Sequence, residues 1–252
     1  MTRPVHQAKA LCDKLQQQGA IAVAFPTLEI LPIAPEDPSA TTLRQLFLDL
    51  DHYHAVLFVS ANAAHYAFQW IDSYWPQLPL GVHWLAVGNA TAARLQQLGI
   101  PCSVQSGSMD SEALLKDPRL QQLEHTKILI CRGDNGRELL RDTLISRGAT
   151  VDYAELYRRQ RPRYSQAEIE SRIYQSPPSA MLVSSGEALS NLFTLTGQRP
   201  LLDQILVVPS QRVAEQARTM GFKTVVTAAN ATDDAMITAL VGVVSTATSK
   251  RG

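Results

Sequence analysis

Short apolar runs alternate with amphipathic stretches along almost the whole chain. Several runs have the continuous apolar character of strands that are buried on both faces. They cover residues 55–59, 83–87, 127–131, 180–183 and 204–208. Apolar residues at helical spacing follow these runs, and two of the helical stretches stop at a glycine, Gly99 and Gly148, as helices often do. Strands that alternate with helices predict βαβ units and parallel sheets.

The sequence also carries a faint internal duplication, which does not divide the chain at its middle. Residues 58–64 resemble 182–188, residues 98–115 resemble 220–237, and residues 3–19 resemble 132–148. The related pieces therefore interleave along the chain, which indicates two α/β sets rather than one sheet.

Two linker-like segments give the domain boundaries. Residues 30–38 contain three prolines and must be extended, and residues 157–163 are polar, basic and interrupted by Pro162. If the chain crosses between domains at both places, the central domain, 39–157, is continuous. The terminal domain then combines residues 1–34 and 164–252. We therefore predict two flavodoxin-like α/β domains with parallel sheets, joined by a two-stranded β-linker, with a ligand cleft between them.

Composition excludes several classes of protein. Apolar residues make up 45% of the 252 residues, enough for a real core, and 23 basic residues balance 23 acidic ones. A neutral chain lacks the basic excess of a typical nucleic-acid binder. Its three scattered cysteines show no zinc or disulfide spacing, and we read no signal segment or membrane span, so we expect a cytoplasmic protein without a metal.

Small polar residues follow each predicted strand, where ligands bind to open parallel sheets. They are Ser60 to Asn62, Gly88 to Thr91, Arg132 to Gly136, Ser184 to Gly186, and Pro209 to Gln211. Each residue alone is most simply a helix N-cap. Together, however, they offer many backbone N–H groups and hydroxyls at helix N-termini, an arrangement suited to an anionic ligand.

Other chemistry has little support in the sequence. The six histidines show no metal-binding spacing, and nucleophile-elbow, P-loop and dinucleotide-binding motifs are missing. The arginines at 158, 159, 161 and 163 belong either to a solvated linker or to a patch that steers a polyanion. For Tyr157, the residues alone favour a packing role. A non-catalytic two-domain module that binds or senses a small anion therefore stays open beside an enzyme.

An ordered set of motifs resembles the uroporphyrinogen-III synthase family over nearly the full chain. The motifs are Thr2-Arg3-Pro4 with Leu28 to Pro32, Phe58 to Ala63, Val87 to Ala92, Arg132 to Leu140, Gly148 to Arg159, Val183 to Gly186, and Val208 to Arg212. The chain departs from the family pattern at one point, because Met1 stands where the family usually has an apolar strand. That departure bears on the position of Arg3.

The resemblance implies a hydro-lyase that closes hydroxymethylbilane to uroporphyrinogen III, with loss of water and inversion of ring D. It implies no cofactor and no metal, and transient hand-over of the substrate from hydroxymethylbilane synthase. The neutral charge and the lack of a spare apolar stripe make a monomer the expectation. The resemblance assigns the proton donor for the departing hydroxyl to Tyr157. Further residues matched to substrate binding are Ser60, Asn62, Thr91, Arg132, Ser185, Gly186, Ser210, Gln211 and Arg3.

Overall fold

The fold comes from a computed structural model that describes residues 1–102, 111–134, 136, 138–197 and 201–249, with side chains up to residue 244. The chain forms two compact units. The central unit is Ile30–Arg159, and the terminal unit combines Met1–Glu29 with Gln160–Gly252. The predicted ends of the terminal domain, 34 and 164, lie a few residues beyond these crossing points.

The described helices and strands alternate as the apolar pattern predicts. Their order is α1 (Val5–Gln17), β1 (Glu29–Pro32), α2 (Ser39–Leu48), β2 (Ala55–Phe58), α3 (Ala61–Tyr74), β3 (His83–Ala86), α4 (Asn89–Gln97), α5 (Ser111–Leu114), β4 (Lys127–Gly133), α6 (Leu139–Ser146), β5 (Thr150–Gln160), α7 (Gln166–Ile169), β6 (Ala180–Leu182), α8 (Gly186–Thr196), β7 (Ile205–Val208), α9 (Gln211–Thr219), β8 (Thr224–Thr227) and α10 (Asp233–Ser249). Short 3₁₀ turns cover Leu50–His52 and Pro118–Leu120, and a π-helical turn, Glu170–Tyr174, follows α7.

The central unit is built on a sheet with the strand order β1-β5-β4-β2-β3. Strand β2 pairs in parallel with both β3 and β4, and β4 pairs in parallel with β5. Val56 and Phe58 pack into the core on one face of the sheet, whereas Ala55 and Leu57 pack into the core on the other. Burial on both faces explains why β2 reads as an unbroken apolar run.

The terminal unit has a parallel sheet with the order β6-β7-β8. Val183, Leu206 and Val208 pack with α8 and α9 on one side of it. The first two residues of the chain lie beside this sheet, because Thr2 N–H donates to Leu182 C=O at 3.2 Å, and Phe25 N–H donates to Met1 C=O at 2.8 Å. The segment before Arg3 is therefore anchored beside β6.

The prediction of parallel α/β architecture is confirmed, and each predicted strand is present with ends shifted by at most two residues. The predicted helix stops are also found, since Gly99 has a φ of 75° and Gly148 a φ of 94°. The first part of β5 and the whole of β8 were missed. The predicted linker strands, 30–38 and 157–163, overlap β1 and the last residues of β5, 157–160. Strand β5 mixes polar and apolar residues without strict alternation, so it shows neither an unbroken apolar run nor a clean period of two.

The buried position of β2 predicts a large stability difference between two leucine truncations. We expect Leu57→Ala, at a residue with no exposed surface, to lower the free energy of unfolding of the central unit by about 3 kcal/mol through lost contacts and a cavity. Leu48→Ala, at a residue 45% exposed on α2, should cost less than about 1 kcal/mol. Urea unfolding followed by tryptophan fluorescence measures this directly, since Trp70, Trp75 and Trp84 all lie in the central unit. Equal losses would contradict the assignment of β2 to the core.

Candidate functional site

The strand order of the central unit creates a topological switch point between β2 and β4. The chain leaves β2 toward β3 on one side and leaves β4 toward β5 on the other. In open parallel sheets the connections after two such strands diverge and leave a crevice at their carboxyl ends, where ligands bind. Ser60 follows β2 at this edge, and Gly133 ends β4.

Ser60 and Tyr157 meet at this crevice. Ser60 is the N-cap of α3, and its hydroxyl accepts a hydrogen bond from the N–H of Ala63 at 3.0 Å. The hydroxyl oxygens of Ser60 and Tyr157 lie 3.1 Å apart. The Tyr157 ring is only 5% exposed and packs 5.6 Å from the ring of Tyr66. Burial also raises the pKa of Tyr66, the hydroxyl of which faces the carbonyl of Ile30.

Asp134, which follows β4, connects the ends of β4 and β5 through two hydrogen bonds. Its N–H donates to the carbonyl of Tyr157 at 3.0 Å, and its carboxylate accepts from the N–H of Arg159 at 3.2 Å. The backbone that carries Tyr157 is thus held on both sides of that residue. These two hydrogen bonds fix the position of the Tyr157 backbone relative to the end of β4.

Arg132 lies next to this site, and its guanidinium is engaged in contacts within the chain. Its guanidinium donates to Glu138 at 3.1 Å and to the carbonyl of Gly133 at 3.1 Å, and it lies 4.4 Å from the centre of the Tyr153 ring. Its side chain is 7% exposed. Tyr153 donates to the same carboxylate at 2.5 Å, and burial followed by this hydrogen bond raises the pKa of Tyr153 to about 12. In this arrangement Arg132 ties α6 to the sheet.

Two other predicted residues of the central unit lie at the starts of helices. Asn62 is the second residue of α3, and Thr91 is in the first turn of α4 and only 3% exposed. Gly88 precedes α4 with a φ of 81°. A positive φ is easily adopted by glycine, so Gly88 lets the chain turn tightly from β3 into α4.

The terminal unit repeats the strand–serine–helix junction of β2 and α3. Ser185 and Ser210 precede α8 and α9 with the extended backbone angles found at Ser60: φ is −161° at all three, and ψ is 163°, 159° and 161°. Ser185 caps α8 by accepting from Ala188 N–H at 3.1 Å, whereas the Ser210 side chain makes no capping hydrogen bond. This equivalence of the junctions agrees with the faint internal duplication.

A glutamine that the sequence did not single out holds the α8 junction. Gln216, on α9, donates to the carbonyl of Gly186 at 3.1 Å and to the hydroxyl of Ser190 at 2.9 Å. A Cβ at position 186 would lie 2.5 Å from the Gln216 side-chain oxygen, so only glycine fits there without a shift. Gln211, the first residue of α9, bonds to Glu215 at 3.3 Å.

Arg3 ties two ends of the terminal unit together. It forms an ion pair with Asp233 at 2.5 Å and donates to the carbonyl of Ala231 at 2.6 Å. The sequence left open whether Arg3 and Arg132 bind carboxylates of a ligand or tie loops. In the structure Arg3 bonds to Asp233 and Ala231, and Arg132 bonds to Glu138 and Gly133.

The structure thus brings several of the predicted site residues together, in one group within each unit. Ser60, Asn62 and Tyr157 share the crevice edge of the central sheet, and Ser185, Gly186, Ser210 and Gln211 lie at the strand ends of the terminal sheet. Sequence reasoning missed Tyr66 and Gln216 as neighbours of these residues. Gly133 lies within the polar segment 132–136 that the sequence singled out, but its close approach to Tyr157 was missed.

Several absences bear on the chemistry of the described residues. In the described part of the chain no group of three or more His, Cys, Asp or Glu residues could hold a metal ion, and no helix could span a membrane. Cys12, Cys102 and Cys131 form no disulfide bonds. A cavity of about 480 Å³ in the terminal unit is lined mainly by apolar side chains, among them Leu15, Met181 and Leu240, and contains none of the predicted site residues.

Comparison with known proteins decides the family. The family profile described as uroporphyrinogen-III synthase HemD matches residues 9–238. A uroporphyrinogen-III synthase of Salmonella typhimurium is 35% identical over 250 residues, which cover 95% of this chain and 98% of that protein. The Escherichia coli protein of the same name is 34% identical with the same coverage. The chain belongs to the uroporphyrinogen-III synthase family. The resemblance inferred from the motifs is confirmed, and with it the assignment to a family of lyases.

Solved structures of the family share this fold. A mutant uroporphyrinogen III synthase from Thermus thermophilus superposes with a TM-score of 0.63 at 16% identity, over 98% of this chain and all of that chain. The enzyme named uroporphyrinogen-III synthetase from Helicobacter pylori gives a TM-score of 0.61 at 13% identity, over 89% and 94% of the two chains. At these identities the likeness concerns the fold alone.

The carboxylate that holds Arg132 predicts a pH-dependent stability difference. The hydrogen bonds from Tyr153 and then from Arg132 keep the pKa of Glu138 below its ordinary value. A depressed carboxyl pKa stabilises the fold above the ordinary pKa near 4.3, and this stabilisation disappears as the pH falls through the lowered value. We therefore expect Glu138→Gln to lower the urea midpoint at pH 7, with the difference from wild type shrinking below about pH 4.

The control is Glu112→Gln, at an exposed residue of α5. It should leave the urea midpoint close to that of wild type at both pH values. A Glu138→Gln difference that stays constant from pH 7 to pH 3 would contradict the role of the Glu138 charge.

Proposed function

We propose that the protein closes hydroxymethylbilane to uroporphyrinogen III, with loss of water and inversion of ring D. The observation that carries the proposal is the Tyr157–Ser60 pair, which places a phenol at the carboxyl edge of the central sheet in a chain of this family. A reaction that expels a hydroxyl group needs a proton donor at the departing oxygen. A phenol, with an ordinary pKa near 10, still carries its proton at pH 7.

The pyrroles of the substrate supply the electrons for this reaction. The nitrogen electrons of ring A expel the hydroxyl group, which takes the Tyr157 proton and leaves as water, so that an azafulvenium ion and a phenolate are formed. The substituted α-carbon of ring D attacks this ion to give a spiro intermediate, which fragments and recloses with ring D reversed. The proton that the closing ring D loses returns to Tyr157. Tyr157 therefore acts as the catalytic acid. The other contribution of the protein is to hold the linear tetrapyrrole in its reactive conformation.

The N-termini of four helices fit the charge of such a substrate. Hydroxymethylbilane is an octacarboxylate, and helices α3, α4, α8 and α9 each follow a strand and present the N–H groups and partial positive charge of a helix N-terminus. We assign Ser60, Asn62 and Thr91 in the central unit, with Ser185, Gly186, Ser210 and Gln211 in the terminal unit, to substrate binding. Backbone N–H groups can hold carboxylates in a chain of zero net charge. Arg3 and Arg132 support these loops through their ion pairs.

We also propose that the protein works as a cytoplasmic monomer without a cofactor and receives its substrate from hydroxymethylbilane synthase. Three cysteines without a disulfide bond suit a reducing compartment. The chemistry above needs proton transfer and positioning, and it needs no electron carrier. Direct hand-over would shorten the life of a substrate that also closes without assistance.

The primary test is a coupled assay in which hydroxymethylbilane is generated in place, the protein is added, and the oxidised products are separated by isomer. Unassisted closure is expected to give the type I isomer, in which ring D keeps its orientation. The proposal predicts type III isomer in proportion to the protein. If a folded protein gives type I alone, the proposed activity is wrong, and a binding module for small anions becomes the better account.

The role of Tyr157 predicts a specific loss of activity. We expect Tyr157→Phe to lower kcat for type III formation by about 10- to 100-fold, at the low end for acid catalysis because the pyrrole expels its hydroxyl readily. The matched control is Tyr74→Phe, at the far end of α3, which should keep the wild-type rate. An unchanged rate for Tyr157→Phe would overturn the assignment of the catalytic acid.

A further inference from the structure

The side chain of Tyr157 points where it does because β5 is irregular at its end. Ala154 and Leu156 face the same core, as alternate residues of a strand should, and Tyr157 would ordinarily face the other way. The register with β4 shifts between Arg132 and Gly133. Arg132 pairs with Glu155, but Gly133 pairs with Tyr157, so Leu156 has no register partner on β4. This β-bulge places Leu156 and Tyr157 in one core and turns the tyrosine toward α3.

Gly133 leaves the space that the re-aimed ring occupies. A Cβ at position 133 would lie 2.5 Å from Cε2 and 2.8 Å from Cζ of Tyr157, closer than real side chains approach. Cζ is the ring atom that bears the hydroxyl group. Any side chain at position 133 must therefore displace the ring, and the hydroxyl oxygen moves with it.

Ser60 contacts the hydroxyl group of the Tyr157 side chain. Its oxygen accepts from Ala63 N–H, so its own proton is available to the Tyr157 oxygen 3.1 Å away. When Tyr157 gives up its proton, negative charge develops on that oxygen. A hydroxyl donor fixed at the N-terminus of the 14-residue helix α3 stabilises this charge, by its hydrogen bond and by the partial positive charge of the helix end.

We propose that Ser60 and Gly133 are positioning residues for Tyr157. Gly133 makes room for the ring, and Ser60 donates to the phenolic oxygen while the proton of Tyr157 passes to the departing hydroxyl. The bond from carbon to that hydroxyl breaks with its electrons on oxygen, the oxygen leaves as water, and the phenolate accepts the Ser60 hydrogen bond until ring D returns a proton. This inference rests on the proposed function and changes the expected role of Ser60 from contacting substrate to acting through Tyr157.

A double-mutant cycle tests the pair. We expect Ser60→Ala to lower kcat for type III formation about tenfold with little change in KM, because the lost bond acts in the transition state. In the Tyr157→Phe background the same substitution should lower kcat no further, since no phenolate forms there. Ser60→Thr keeps both the hydroxyl and the N-cap, and it should restore most of the lost rate.

Ser165→Ala is the control for the loss of a helix N-cap. It removes the capping hydroxyl of α7 and should leave kcat unchanged. Gly133→Ala should lower kcat at least as much as Ser60→Ala, again without effect in the Tyr157→Phe background. Circular dichroism of each variant establishes that it folds. If Gly133→Ala does not fold, the Ser60 cycle decides alone.

The outcomes separate this inference from the function on which it rests. If Tyr157→Phe is slow and Ser60→Ala lowers kcat equally in both backgrounds, or raises KM alone, Ser60 acts on the substrate directly and the positioning role is wrong. If Tyr157→Phe keeps the full rate, the catalytic assignment of Tyr157 fails first. Reduced kcat in Ser60→Ala, its rescue by threonine, and no effect in the phenylalanine background support the inference.

Discussion

The fit of the Tyr157 ring against the backbone of Gly133 is the constraint on which the central site depends. Because Gly133 has no side chain, the Tyr157 ring can lie against the end of β4. The bulge in β5 turns the ring in that direction. Ser60 then meets the hydroxyl from α3, and Asp134 fixes the backbone beneath. Gly133 is the last residue of β4, Ser60 is the N-cap of α3, and Asp134 directly follows β4, so regular elements fix the position of each contact.

The same design recurs at the other strand ends. Parallel strands deliver their carboxyl ends to one edge, and each following helix presents its N-terminus there. Ser60, Ser185 and Ser210 share nearly identical backbone angles at these junctions. We propose that such junctions supply the donors for the carboxylates of the substrate, while Arg3 and Arg132 hold neighbouring segments through ion pairs within the chain.

Much of this fold could be predicted from the sequence, because burial on both faces leaves a strong signal. The apolar run 55–59 predicts β2 for that reason, and Gly99 and Gly148 mark helix ends since their backbone angles favour glycine. The first part of β5 was missed because its residues mix polar and apolar positions. The polar residues at strand ends were also predictable, as was Ser60 as an N-cap.

The pairings within the site could not be predicted in the same way. Ser60 and Tyr157 are 97 residues apart in sequence, and their contact depends on a register shift of a single residue. Sequence periodicity assigns Tyr157 to the wrong face, since the bulge interrupts the alternation of β5. The partner of Arg132, Glu138, lies only six residues away, but the sequence could not show whether that arginine bonds within the chain or to a ligand.

The central claim is that the proton of Tyr157 moves as the substrate hydroxyl departs. A solvent deuterium isotope effect on kcat for type III formation tests it most directly, measured for wild type and for Tyr157→Phe in matched buffers. The account predicts a normal isotope effect in the wild-type enzyme that is lost in the phenylalanine variant. The same isotope effect in both proteins would contradict it, because the proton in flight would then come from another donor.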